Sequence, residues 1–145
     1  MTPNLDSQIT ERLALDGLRF TRGRREVVEA LLASDGPMSA NELSDVLGDG
    51  VPLSSIYRSL AILTDAHILT VHLATKGLAR YELSEWLVGH HHHLVCTECG
   101  SVEDIHVSAS HEERLREVVD AVASVASFIP SSHALEIDGR CAQCQ

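Results

Sequence analysis

His90-His91-His92-His93-Leu94-Val95-Cys96-Thr97-Glu98-Cys99 packs four imidazoles and two thiols into ten residues. A second pair, Cys141-x-x-Cys144, lies near the end of the chain. Two separated C-x-x-C pairs are the usual ligand set of a closed tetrahedral zinc site. Each knuckle presents two thiolates toward one point, so Cys96, Cys99, Cys141 and Cys144 are expected to hold a structural zinc that ties the last strand to the first. Two disulfides are the alternative, disfavoured wherever the compartment keeps thiols reduced. A redox C-x-x-C of thioredoxin type would need one reactive pair at a helix N-terminus, not two pairs.

The apolar residues after the histidines read as a strand from His90 to Cys96. Strand side chains alternate between faces. His90 and His92 therefore point one way, and His91 and His93 the other. Four adjacent histidines cannot converge on one ion without breaking the strand, so they are read as two half-sites on opposite faces. A solvated polar run is the bland alternative. A purification tag does not fit an internal run of four that abuts Leu94-Val95-Cys96. Partners for the half-sites come from His72, Glu82, Asp104, His106, His111, Glu112 and His133, which the residues alone do not pair.

The chain has 145 residues, enough for one ordinary domain or two small ones. Hydrophobic residues make up 44% and aromatics only 3%, so the core is expected to be aliphatic. No apolar run approaches the roughly 18 residues of a membrane span, and the N-terminus has no basic-then-apolar signal pattern. The expected location is cytoplasmic, with no membrane partner. A net charge of -10 argues at first against nucleic acid. Yet Arg12, Arg19, Arg22, Arg24 and Arg25 fall close together, and such a patch on an acidic body can bind phosphates.

The first half reads as helices followed by a hairpin. Leu5, Ile9 and Leu13 repeat at helical spacing. Thr21 can cap a second helix bearing Val27, Val28, Leu31 and Leu32. Ser39-Ala40-Asn41-Glu42 is a capping box. A fourth helix is expected from Ser54 or Ser55, with Ile56, Leu60 and Leu63 as its buried stripe. Residues 68–73 and 78–83 then form strands around a Thr75-Lys76-Gly77 turn. This is a winged helix-turn-helix order, with Tyr57 and Arg58 on the recognition helix. The second half reads strand, knuckle, strand (101–107), helix, strand (132–137). The expected fold is α+β: a winged-helix DNA-binding domain over 1–83, a hinge over 84–89, and a small α/β metal-binding dimerisation domain over 90–145.

Several stretches together resemble the ferric uptake regulator (Fur) family of metal-dependent bacterial repressors. They are Leu18-Arg19-Phe20-Thr21-Arg22-Gly23-Arg24, Ser39-Ala40-Asn41-Glu42-Leu43, Leu53-Ser54-Ser55-Ile56-Tyr57-Arg58-Ser59-Leu60, Arg80-Tyr81-Glu82-Leu83, the segment from His90 to Cys99, His133 and the final cysteine pair. The resemblance implies a homodimer that binds a palindromic double-stranded operator and represses metal-uptake genes. It implies DNA contacts from Tyr57, Arg58, Ser54 and Ser55, with Arg19, Arg22, Arg24 and Arg25 meeting phosphates or a narrow minor groove.

The same resemblance implies two further metal sites. His90, His92 and His133 match an auxiliary site, whose remaining ligand falls on His111, or on Glu112 if the register slips by one. His91 and His93 match a regulatory site, with Glu82 and Asp104 in the places of family acids. The inter-helix histidine of iron-type and peroxide-sensing members falls on Pro37 or Met38. The wing aspartate and hinge cysteine of zinc-type members fall on Thr70 and about Ser84; His72, on the same strand face as Thr70, is a substitute. The run of four histidines, without the acid common in iron-type members, points to zinc as the sensed ion ahead of iron, manganese or nickel.

An enzyme would need an open metal position with a poised base, or a reactive thiol pair. There is no H-E-x-x-H, and the closed site uses every cysteine. A metal-storage module without DNA contact would not need the capped helices, the Tyr57-Arg58 helix or the hairpin.

Overall fold

The computed structural model describes residue 1, residues 3–73 and residues 78–145. The chain divides into two compact units, Met1–His90 and His91–Gln145. The expected Thr75-Lys76-Gly77 turn lies outside the described residues.

The first unit runs α1 (Pro3–Leu15), α2 (Arg22–Leu32), α3 (Ala40–Leu47), a 3-10 turn (Gly48–Gly50), α4 (Leu53–Asp65), β1 (Leu69–Leu73), β2 (Ala79–Leu83) and α5 (Glu85–Val88). The helical stripes read from the sequence meet in one aliphatic core. Ile9, Leu13, Val27, Val28, Leu43, Ile56, Leu60, Leu63 and Ile68 are fully buried there. Ser39 accepts from the Glu42 backbone N–H, and the Glu42 carboxylate accepts from the Ser39 N–H, closing the capping box of α3. Thr21 is the N-cap of α2 by backbone position, but its side chain makes no capping bond. α4 begins at Leu53, after Pro52, rather than at Ser54 or Ser55; Pro52 supplies the extended residue that opens the helix. The segment expected as a hinge carries α5, and Trp86 Nε1 donates to the His67 carbonyl at 2.8 Å.

β1 and β2 pair antiparallel with Thr70 opposite Glu82 and His72 opposite Arg80. Met38 adds a third edge to this wing, exchanging backbone hydrogen bonds with Tyr81 at 2.9 and 2.8 Å. Arg80 is buried and reaches back across the same junction. One guanidinium nitrogen donates to the Pro37 carbonyl at 2.9 Å, and two donate in a fork to Glu42 at 2.8 and 2.9 Å. Glu42 thus caps α3 and anchors the wing at once.

The second unit is β3 (His92–Cys96), β4 (Val102–Ile105), α6 (Ala109–Val125) and β5 (Glu136–Gly139), with sheet order β4-β3-β5. β3 starts at His92 rather than His90, so His90 and His91 precede the ladder. β5 is displaced toward the C-terminus from the expected 132–137. Its parallel pairing sets Cys96 opposite Gly139, which delivers Cys141 to the first knuckle. Gly100, at φ 74°, turns the chain after that knuckle, and its N–H donates to the Cys96 carbonyl at 2.8 Å. The core here is thin: Val95, Cys96, Val102 and Ala123 are its buried apolar residues. No helix among the described residues is long and apolar enough to cross a membrane.

Burial pushes the Glu42 carboxyl up, but the Ser39 backbone N–H and the Arg80 guanidinium outweigh it and hold the group below its ordinary value. Its stabilisation is complete above the unfolded-chain pKa and is lost as pH falls through the folded one. Glu42→Gln is expected to lower stability at pH 7 by about 1 kcal/mol, the fork being partly screened by solvent. Urea unfolding across pH 7 to 3 should show that difference shrinking with acid; a difference that grows with acid contradicts the assignment.

Candidate metal centres and DNA-contact helix

The two knuckles meet at one point. The sulfurs of Cys96, Cys99, Cys141 and Cys144 all lie within 4.8 Å of one another, with Cys99 and Cys141 at 3.8 Å. Four sulfurs bound at about 2.3 Å around a tetrahedral centre stand about 3.8 Å apart, so the cluster fits one zinc ion. The electrostatics fit as well. Backbone N–H donors of Cys141 and Cys99 hold the Cys96 thiol down at about 6, while the neighbouring Cys141 and Cys99 push Cys144 up to about 12. Four thiols this close cannot all ionise unless a cation shares their space.

The start of β3, at the other end from this knuckle, is taken by imidazoles. His92 is 1% exposed, and its Nε2 lies 3.0 Å from Glu112 Oε2. His133 Nε2 lies 3.0 Å from the other oxygen of the same carboxylate. Glu112 sits in the first turn of α6, so this trio also fastens the helix to the sheet. Two imidazoles and a carboxylate suit a first-row divalent ion. His111 is not brought to the trio. Its Nδ1 bonds Ser108, the N-cap of α6, at 2.7 Å. Of the two residues expected at that position, the helix register selects Glu112. His90, in the first unit, bonds Glu85 through Nδ1 at 2.8 Å.

His91 and His93 gather near the outer end of β3 with Asp104. His93 pairs across the ladder with Asp104, with Nε2 and Oδ1 3.7 Å apart. The His91 and His93 rings meet edge-on at 5.1 Å between centroids. His106, named in the sequence only as one of many partners, has its ring 6.0 Å from that of His91. In the first unit, His72 Nε2 and Glu82 Oε1 are 2.6 Å apart on one face of the wing.

On α4 the residues expected at DNA point outward. Tyr57 is 51% exposed, Arg58 and Ser54 are exposed, and Ser55 is half-buried, while Ile56, Leu60 and Leu63 face the core. The arginine cluster separates into two groups. Arg19 and Arg22 are exposed, Arg22 pairing with Glu26 at 2.8 Å. Arg24 donates to the Arg19 carbonyl, and Arg25 pairs with Asp6 while stacking 4.3 Å over the Phe20 ring. Both are half-buried and occupied in holding α2 to its neighbours. The sequence reading missed the Arg80–Glu42 fork. Its sequence signal was slight, because Arg80 shares its strand face with Glu82 while Ala79, Tyr81 and Leu83 alternate with them.

A sequence model described as the Ferric uptake regulator family matches residues 15–137. The Ferric uptake regulation protein of Legionella pneumophila is 35% identical over 140 residues, covering 94% of this chain and 98% of its own. The Peroxide-responsive repressor PerR of Staphylococcus saprophyticus is 28% identical over 144 residues, covering 97% and 91%. The solved structure of the Helicobacter pylori ferric uptake regulator Fur, said to reveal three functional metal binding sites, superposes with a TM-score of 0.72 at 28% identity, covering 97% of this chain and 93% of that one.

If the four thiols share one ion, Cys141→Ser should remove it and with it most of the about 10 kcal/mol such sites supply to folding. The expected result is loss of one zinc per chain by elemental analysis and a sharply lower thermal midpoint of the C-terminal unit. Full zinc content after chelator dialysis would exclude the four-thiol site.

Proposed function

The chain belongs to the ferric uptake regulator family, and we propose that within it the protein is a cytoplasmic, homodimeric, zinc-sensing repressor of metal-uptake genes. It is a metal-responsive transcriptional regulator and not an enzyme. The observation that carries the reading is the division of one histidine run between two sites. His92 is committed to Glu112 and His133, and His91 and His93 stand with Asp104. Together with the four-thiol cluster this makes three places for a metal. The Helicobacter pylori relative has three functional metal binding sites.

In this reading Cys96, Cys99, Cys141 and Cys144 keep a structural zinc, and His90 joins His92, Glu112 and His133 in the auxiliary site. His91, His93 and Asp104 capture the sensed ion, with Glu82, and His72 through it, as the ligands from the wing. Capture favours the arrangement in which the recognition helices of a dimer stand about one DNA turn, near 34 Å, apart on a palindromic operator. By linkage, operator DNA raises metal affinity by the same factor. Moving a population from 1:99 to 99:1 takes about 5.5 kcal/mol of differential binding, within reach of one site per protomer. An apolar stripe on α6 supports the homodimer: Val118, Val122 and Val125 are 60%, 68% and 89% exposed on one helix face.

Zinc is favoured because the sites are rich in imidazole. A second reading, iron or manganese, draws support from the two carboxylates Glu82 and Asp104 and from the Legionella ferric uptake regulation protein. Titrating operator binding with each metal, from protein holding only its cysteine-bound zinc, decides between them. Zinc is expected to restore binding at the lowest free concentration. His91→Ala with His93→Ala should give a folded, zinc-containing dimer that no longer responds. If that variant still binds operator only on metal addition, the sensing site lies elsewhere.

Tyr57 is expected to meet a thymine methyl, and Arg58 a base edge or phosphate. Ser54, Ser55, Arg19 and Arg22 are placed at phosphates, with lesser direct roles for Arg24 and Arg25. Arg58→Ala in metal-loaded protein should weaken operator affinity by about 1–3 kcal/mol, roughly 5- to 150-fold, in a gel shift. Unchanged affinity would remove α4 from the interface.

A further inference from the structure

We propose that His106 is a further ligand of the sensed ion, joining His91, His93 and Asp104 in the C-terminal unit. The inference rests on the reading of His91 and His93 as the sensing pair and extends it to a residue outside the expected set.

The argument is one of register. β3 and β4 pair antiparallel with His92 opposite Ile105 and His93 opposite Asp104. One step outward, past the end of the ladder, come His91 and His106, whose rings lie 6.0 Å apart. Residues two apart on a strand share a face, and directly opposed residues stand with Cβ atoms about 4.5–5.5 Å apart. His91, His93, Asp104 and His106 are therefore gathered at one end of the sheet. The side chains follow the backbone. His93 Nε2 is 3.7 Å from Asp104 Oδ1, the His91 and His93 rings are 5.1 Å apart, and the His91 and His106 rings are 6.0 Å apart and inclined at 32°. His91 is 6% exposed, whereas His106 is exposed at the rim. The patch thus has a buried floor and a solvent-facing entrance.

Its chemistry is three imidazoles and one carboxylate. Three imidazoles and one carboxylate suit zinc, and cobalt as its spectroscopic substitute. Manganese and magnesium, which prefer oxygen ligands and six-coordination, fit it poorly. His106 is therefore a specificity-determining residue. It shifts the site toward nitrogen-preferring ions.

The test is cobalt titration of the full-length dimer with zinc in the cysteine site, read by visible ligand-field absorption and by competition with a chelator. The step belonging to the sensing site is the one lost in the His91→Ala, His93→Ala variant. His106→Ala should weaken that step by 10-fold or more and reduce its tetrahedral absorption, while the thermal midpoint and cysteine-bound zinc stay unchanged. The proposal is overturned if His106→Ala binds cobalt with wild-type affinity and spectrum. If the double-histidine variant loses no step, the underlying reading of the sensing pair fails instead.

Discussion

A strand shows its side chains alternately to two faces, and this chain places four imidazoles on consecutive residues where that rule takes hold. The rule makes it impossible for the run to serve one ion. It forces His92 toward α6, where Glu112 and His133 receive it at 3.0 Å each. It leaves His91 and His93 on the side of Asp104. The same strand then ends in the first thiol knuckle. Where β3 begins and which residues it faces therefore decide every candidate metal centre in the C-terminal unit.

That unit needs such centres because its apolar core is small. Its buried hydrophobics are few and mostly modest in size, while Val125 and Ile129 are 89% and 90% exposed. A small domain buries too little of its surface to be secure on hydrophobic packing alone. Here polar chemistry stands in. The thiol cluster joins the two ends of the fold, the His92–Glu112–His133 trio holds the helix to the sheet, and the uncovered α6 face is available to a second copy. The N-terminal unit is the opposite case, with a continuous aliphatic core from four helices and a hairpin.

This contrast explains what could be read from the sequence. The helical stripes of α1 to α4, the capping box at Ser39 and the hairpin are local patterns, and they emerged close to where they were expected. The cysteine pairs carry their geometry in their spacing. Which of His111 and Glu112 comes beside His92 and His133 depends on the helical phase of α6 relative to the sheet, a tertiary quantity. β5 was misplaced because its extent is fixed by parallel pairing with β3 and not by its own alternation. The roles of Arg24 and Arg25 were hidden for the same reason. Nothing in a basic run tells which guanidinium will find Phe20 or Asp6.

The junction between wing and helices bears on how force would travel. Glu82 adjoins Tyr81, whose backbone is bonded to Met38, and lies two residues from Arg80, whose fork grips Glu42 at the head of α3. A hairpin held only by its own two strands would bend when pulled at that carboxylate. This one is stitched to the helix that precedes α4. Glu82 is thus less a point on a flap than part of one body, in which the wing, α3 and the helix bearing Tyr57 and Arg58 share a core.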